Sequence, residues 1–161
     1  MTEPVVVLIE LDETLLLGLL EAAVADADPL EVMPPVAGPP GWTTERREAF
    51  LEFHRRRSLR QETAIEKTYV IEVDAWPVGA ARLEKVPGGV EAGIWIGRSQ
   101  RGRGVGKLAA AELLELAKAD GAERFVASTT EDNLAARKLL TGVGADLTVR
   151  GDGVEAGLDL R

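Results

Sequence analysis

No stretch constrains this chain more than Gln100-Arg101-Gly102-Arg103-Gly104-Val105-Gly106-Lys107. It follows an apolar, alternating stretch and opens a helical one, so it reads as a strand-to-helix turn. Glycines in such a turn let the backbone wrap closely round a ligand. The first N–H groups of the helix beyond have no partner inside it, and the helix dipole adds positive potential. An end of that kind is a phosphate site.

Charge makes the segment stand out. The 161 residues carry 19 Lys+Arg against 27 Asp+Glu, a formal net charge of −8. Arg101, Arg103 and Lys107 are a local cluster of cations on an acidic background. A negative field disfavours nucleic acid and anionic membranes and attracts cationic small molecules or basic peptides. Cysteine is absent and His54 is the single histidine, so no disulfide, zinc-thiolate cluster, catalytic thiol or His-rich metal site is expected. The apolar run Val5 to Leu20 is interrupted by Glu10, Asp12 and Glu13, which excludes a membrane span. Met1-Thr2-Glu3-Pro4 has neither the basic region nor the apolar stretch of a signal peptide, and a cytoplasmic location is expected.

The rest of the chain reads as one α/β domain over residues 1–161, of the α+β kind, with a mixed sheet of about seven strands and about four helices. Val5 to Leu11 is β-branched and extended, and Asp12 caps a helix to about Ala25. Residues 26–42 carry five prolines and read as a loop. Thr43 or Thr44 caps a helix to about Arg60. Strands follow at 68–73, 78–86 and 90–97, then the glycine-rich turn and a helix over 104–119. A strand at 125–129, a helix at 131–141 and a closing hairpin of 147–150 with 154–160 complete the order.

Three phosphate motifs compete for the turn. A nucleotide P-loop with Lys107 as its lysine would need glycine at Arg101 and a hydroxyl at Leu108, and a dinucleotide fingerprint starting at Gly102 would need glycine at Lys107. Neither fits. Arg/Gln-x-x-Gly-x-Gly/Ala is matched by Arg101, Gly104 and Gly106, and there the chain resembles the GCN5-related N-acetyltransferases (GNAT). The likeness extends to Val78-Gly79-Ala80-Ala81-Arg82-Leu83, to Glu91-Ala92-Gly93-Ile94-Trp95-Ile96-Gly97 and to Asn133 through Gly144, covering roughly residues 65–150. In style it is nearest to the branch that acetylates the N-termini of ribosomal proteins. The resemblance implies the GNAT fold, acetyl-CoA as co-substrate, no metal, and coenzyme A lying in a splay between the fourth and fifth strands. It implies that Trp95, Ile96, Arg101, Gly102, Arg103, Gly104, Val105, Gly106, Lys107, Asn133 and Arg137 bind the cofactor, and dimers are common among such proteins.

Acetyl transfer from a thioester to an amine requires deprotonation of the amine, polarisation of the carbonyl and departure of the thiolate. No covalent intermediate is needed, which suits a chain without cysteine. Glu91 lies ten residues before Arg101, the spacing at which several members of the family carry a catalytic glutamate, so the resemblance nominates it as the base. The residues alone leave it equally readable as a solvated strand glutamate, and Glu84 is a second candidate. Backbone N–H groups near Trp95 and Ile96 would polarise the carbonyl. The family's usual acids are missing, because its tyrosine position is Leu140 and its serine position Ala136. Asn133 reads either as a pantetheine or water ligand or as a helix cap. His54 and the arginines after it read as a solvated helix face. Trp42 and Trp76 read as helix-entry and turn residues, and Trp95 as core or pocket wall.

The expected function is N-acetylation of a primary amine on a small cationic molecule, such as a polyamine or antibiotic, or on a peptide N-terminus. The competing expectation is a catalytically weak acyl-CoA-binding or sensory domain.

Overall fold

Seven strands form one sheet in the order β1-β2-β3-β4-β5-β7-β6 in the computed structural model, which describes residues 3–161. Met1 and Thr2, part of the opening read for a signal segment, lie outside the described residues. The strands are β1 (Val6–Glu10), β2 (Glu66–Val73), β3 (Trp76–Val86), β4 (Gly89–Ile96), β5 (Arg124–Thr130), β6 (Asp146–Arg150) and β7 (Gly153–Asp159). β2, β3 and β4 form an antiparallel meander, as the tight turns at Asp74-Ala75 and Pro87-Gly88 allow. β1 adds to its β2 edge, also antiparallel, with the first three helices between them in the chain. β4 and β5 are parallel, because a crossover helix separates them.

The helices divide between the faces. α1 (Glu13–Asp26) is capped by Asp12, whose carboxylate accepts the Leu15 N–H at 2.7 Å. It covers one face with α2 (Pro29–Val32) and α3 (Thr44–His54), burying Leu16, Leu19, Val32 and Phe50 on Val70 and Ala80. α4 (Val105–Ala119) covers the other face with Val105, Ala109, Leu113 and Ala117 on Ile71, Leu83, Val90 and Phe125. α5 (Leu134–Gly142) sits against β6 and β7 through Leu140.

Three local expectations change. The proline-rich loop contains the one-turn helix α2, since Asp28 and Glu31 form a reciprocal capping box and Pro29 occupies the first turn, where its missing N–H costs nothing. The α3 segment is not α-helical to Arg60. It passes into a π-type turn over Arg55–Leu59, closed by a bond from the Arg60 N–H to the Arg55 carbonyl at 2.8 Å. The helix expected from Glu131 begins only at Leu134, after the Asn133 cap.

Candidate active site

β4 is where the sheet opens. Its pairing with β5 is confined to Val90 with Phe125 and Glu91 with Val126, whereas its pairing with β3 runs on to Ile96. Beyond Glu91 the two parallel strands part. The bond from the Gly97 N–H to the Val78 carbonyl, 2.8 Å, sets the phase of the β3–β4 ladder. By alternation the N–H and C=O groups of residues 91, 93 and 95 turn to β3, and those of Ala92, Ile94 and Ile96 turn into the splay. The expectation of a backbone donor near Trp95 and Ile96 is thereby divided. Ile96 faces the opening, as its carbonyl shows by accepting from Arg101 Nε at 3.0 Å, and Trp95 is bonded to β3.

The splay leads to the glycine turn. Gly104 is the N-cap of α4 with φ +82°, and Gly102 has φ +76°, both left-handed conformations that favour glycine. No side chain caps α4. The first intrahelical bond runs from the Leu108 N–H to the Gly104 carbonyl, which leaves the N–H groups of Val105, Gly106 and Lys107 without helical partners. Val105, 1% exposed, anchors the helix start in the core. A Cβ on Gly106 would lie 3.3 Å from Ile96 Cδ1, so glycine lets α4 approach β4. A Cβ on Gly104 would meet nothing within 4 Å. The turn is an open concavity of backbone donors at a helix N-terminus, which fits a diphosphate.

The three cations of this turn are not equivalent. Arg101 folds back, donating to the Ile96 carbonyl and, at 2.6 Å, to Glu31 Oε2. Glu31 also accepts from Arg98 at 3.1 Å and from the Asp28 N–H at 2.9 Å. Burial disfavours its charged form, but these hydrogen bonds and the charges of Arg101 and Arg98 outweigh that and hold its pKa below the usual glutamate value. Asp26 accepts from the Ser99 N–H and hydroxyl. The segment joining α1 to α2 is thus clamped to the approach of α4. Arg103 donates to neutral Gln100, and neither it nor Lys107 forms an ion pair among the described residues.

On the face covered by α1 to α3, a cavity of about 430 Å³ reaches β4 at Gly93, Ile94 and Trp95. Its other walls are the α2 segment from Leu30 to Pro34, the end of α3 at Phe53, His54 and Arg57, and Thr68, Ala80 and Arg82 of the sheet. Strand register aligns Glu66, Glu84 and Glu91 in one row across β2, β3 and β4, and Thr68, Arg82 and Gly93 in the next. Like charges opposite one another repel. Arg57 relieves the row, donating Nη2 to Glu66 at 2.9 Å and to Glu84 at 2.6 Å, while Arg82 Nη1 reaches Glu66 at 3.4 Å. Glu91, half-buried at the point where β4 leaves β5, has no ion-pair partner among the described residues.

His54 corrects the sequence reading outright. It is 3% exposed, packed edge-on to Phe50 and Phe53 with ring centroids 4.6 and 5.2 Å away, because it follows Phe50 by four residues on the buried side of α3. Burial, with the charges of Arg57 and Arg82, pushes its pKa down to about 4, so it is neutral at pH 7. The arginine run is likewise not all surface, since Arg57 lines the cavity. Its position was legible only as the next turn after His54. Trp95 both packs with the core and walls the cavity. Trp42 donates Nε1 to the Ala27 carbonyl at 2.9 Å, and Trp76 is 74% exposed.

The α5 candidates follow β5, the strand that parts from β4. Asn133 accepts the Ala136 N–H at 3.1 Å, which makes it the cap, with its amide N–H₂ unspent; Arg137 donates to the Glu131 carbonyl at 3.0 Å. Leu140 is buried against Ala127, Ala145 and Ala156 and offers no proton. Among the described residues no cluster of three or more His, Asp or Glu could hold a metal ion, and no helix is long and apolar enough to cross a membrane.

Solved structures share this architecture. An N-acetyltransferase from Staphylococcus aureus Mu50 is 20% identical, with a TM-score of 0.66 over 98% of this chain and 99% of its own. RimL, a ribosomal L7/L12 alpha-N-protein acetyltransferase in complex with coenzyme A, is 17% identical, with a TM-score of 0.71 over 96% of this chain and 93% of its own. The spermidine/spermine N-acetyltransferase SpeG from Vibrio cholerae is 14% identical, with a TM-score of 0.69 over 96% and 94%. At such identities the likeness is one of fold. No curated protein matches the chain in sequence. The model of the Acetyltransferase (GNAT) family, however, matches residues 30–144, from α2 through the splay and the glycine turn to the end of α5. The chain therefore belongs to the GNAT family of acetyl-CoA-dependent N-acetyltransferases.

Proposed function

We propose that this protein transfers the acetyl group of acetyl-CoA directly to a primary amine of a small molecule or peptide seated in the α1–α3 cavity. The observation that carries the reading is the continuity of two sites across β4. The strand's unpaired edge faces the splay and the uncapped start of α4, and Gly93 to Trp95 line the cavity on the sheet's other side.

The backbone of Gly102 to Lys107 would cradle the diphosphate, with Arg103 and Lys107 adding positive charge. Arg101 would serve from beneath, holding the turn to Glu31 and β4. The Asn133 amide and Arg137, which open α5 directly after β5, would border the same opening. Acetyl-CoA supplies an activated thioester. The N–H groups of Ile94 and Ile96 are positioned to donate to oxygen as negative charge develops on it. Glu91 is the base: of the three aligned glutamates, Glu66 and Glu84 are held by guanidiniums and only Glu91 is left to take a proton. A C–N bond forms and the C–S bond breaks. The proton lost by the amine ends on the departing sulfur, carried by water, since Leu140 and Ala136 supply no acid. No nucleic acid, membrane or metal enters this reading, which suits a cytoplasmic enzyme.

The test is release of coenzyme A thiol from acetyl-CoA over a panel of amines. Glu91→Gln should lower kcat by about 100-fold or more at neutral pH, the scale of a lost general base, with acetyl-CoA affinity kept. Full turnover in that variant would remove Glu91 from the mechanism. Tight coenzyme A binding without turnover on any amine would instead support an acyl-CoA-binding domain, the outcome that Leu140 favours.

A further inference from the structure

The overall charge of −8 argues for a cationic acceptor, but the cavity itself argues otherwise. Three charged side chains line it: Glu31, Arg57 and Arg82. Glu31 is spoken for, both its oxygens accepting from Arg98, Arg101 and the Asp28 N–H. The guanidiniums are not. Each carries five N–H donors, and their contacts with carboxylates use one nitrogen apiece: Arg57 Nη2 bonds Glu66 and Glu84, and Arg82 Nη1 bonds Glu66 and lies 3.7 Å from Glu84. Arg57 Nε is buried with no acceptor, and both nitrogens of His54 are buried without partners. The acceptor left over on the other side of the account, Glu66 Oε2, is itself buried.

Two features show that this surplus of donors is built in. Arg57 is braced with its guanidinium carbon 5.3 Å from the Phe53 ring centre, which fixes the fork. Arg82 lies across β4 at Gly93, where a Cβ would come within 2.8 Å of Arg82 Nε, so glycine at 93 keeps the way open for it. His54 responds to the resulting field, being held neutral by burial and by these same two cations. One strand row from Arg82 stands Glu91, of opposite charge and without a cation of its own.

We infer that the acceptor is a zwitterion of the amino-acid type, its carboxylate held by Arg57 and Arg82 and its amine directed to Glu91 on β4. Guanidinium forks match carboxylates in geometry and charge, which an ammonium-bearing polyamine would not satisfy. The inference rests on the acetyltransferase reading and adds to it the class of substrate. It runs against the expectation of a purely cationic acceptor drawn from the net charge.

The experiment compares matched acceptors with the full-length protein and acetyl-CoA: L-amino acids and ω-amino acids against their primary amides and against simple diamines. Free carboxylates should show at least a tenfold higher kcat/KM than the amides. Arg82→Gln should remove at least tenfold of that preference through KM for the acceptor, with KM for acetyl-CoA unchanged, and Arg82→Lys should restore part of it. Independently of turnover, N-acetyl amino acids should bind more tightly than N-acetyl amino-acid amides in a calorimetric titration, and Arg82→Gln should abolish the difference. Amides or diamines accepted as well as the free acids would overturn the zwitterion and leave acetyl transfer standing. Failure of every amine would remove the acetyl-transfer reading, and this inference with it.

Discussion

The two halves of the site are made of different material. On the side proposed for the donor the groups on offer are backbone N–H groups, exposed by a left-handed glycine and an uncapped helix, and the nearest arginine is folded away from them. On the acceptor side they are side chains: two arginines, a neutral histidine and a row of glutamates on three strands and a helix end. A backbone cradle suits a ligand common to many enzymes, because it does not depend on side-chain identity. A side-chain cavity suits whatever is particular to one enzyme. The two kinds of construction also fail differently, one through conformation and the other through unpaired charge.

The largest effect should come from the charged floor of the cavity. Glu66 has a side chain with no exposed area, held by Arg57 at 2.9 Å and more distantly by Arg82 at 3.4 Å. Arg57→Ala leaves that carboxylate short of a partner, at a cost of about 4 kcal/mol, the scale of breaking a buried ion pair. For a chain of this size the melting temperature should fall by about 10 °C. Replacing the pair together, Arg57→Met with Glu66→Leu, should recover most of the loss, because neither charge is then stranded. A loss below about 1 kcal/mol for Arg57→Ala, within the range of surface pairs, would show the floor to be solvated and the contrast between the halves overstated.

His54 gives the next effect, one that the donor side has no counterpart for. Its folded pKa is about 4 and its ordinary value 6.5, lowered by burial and then by Arg57 and Arg82. Below about pH 6.5 the unfolded chain binds a proton that the folded protein refuses. Stability contributed by the neutral imidazole is therefore complete above pH 6.5 and is lost as pH falls toward 4. The loss from this residue is on the order of 3 kcal/mol, with none further below that window. His54→Phe, seated between Phe50 and Phe53, should remove this part of the acid dependence, read as the difference between the two denaturation profiles from pH 7 to 4. Parallel profiles would mean that His54 takes up its proton as readily in the folded protein as in the unfolded chain, and so is not held neutral by its surroundings.

The same division explains what could be read from the sequence. The glycine turn was legible because its parts are contiguous: Gly104, the helix start and the cations lie within eight residues, directly after a strand. The strand meander and the crossover helix followed from local alternation and periodicity. The cavity draws on residues from Leu30 to Trp95, and what joins Arg57, Glu66, Glu84 and Arg82 is register, which no local pattern carries. His54 was misread from its arginine neighbours, although its spacing from Phe50 pointed inward. Asp28-Pro29-Leu30-Glu31 held the signature of a capped helix, obscured by the prolines around it. The fold-back of Arg101 was beyond reach, because Glu31 lies seventy residues away and the motif says nothing about where a long side chain rests.

The smallest effect is the one that isolates the backbone. Gly104→Val places a β-branched side chain at φ +82°, where only glycine is unstrained, and in the space where a phosphate would rest. Acetyl-CoA should bind about tenfold more weakly, about 1.4 kcal/mol, measured by calorimetry. Conformational strain alone would also lower stability, so a control with equal strain is needed. Gly88, in the β3–β4 turn, has the same φ of +82° and equally open space around a Cβ. Gly88→Val should destabilise to a similar degree and leave acetyl-CoA affinity untouched. If both variants bind acetyl-CoA alike, the amides of α4 do not hold the diphosphate, and the donor side depends on side chains as much as the acceptor side does.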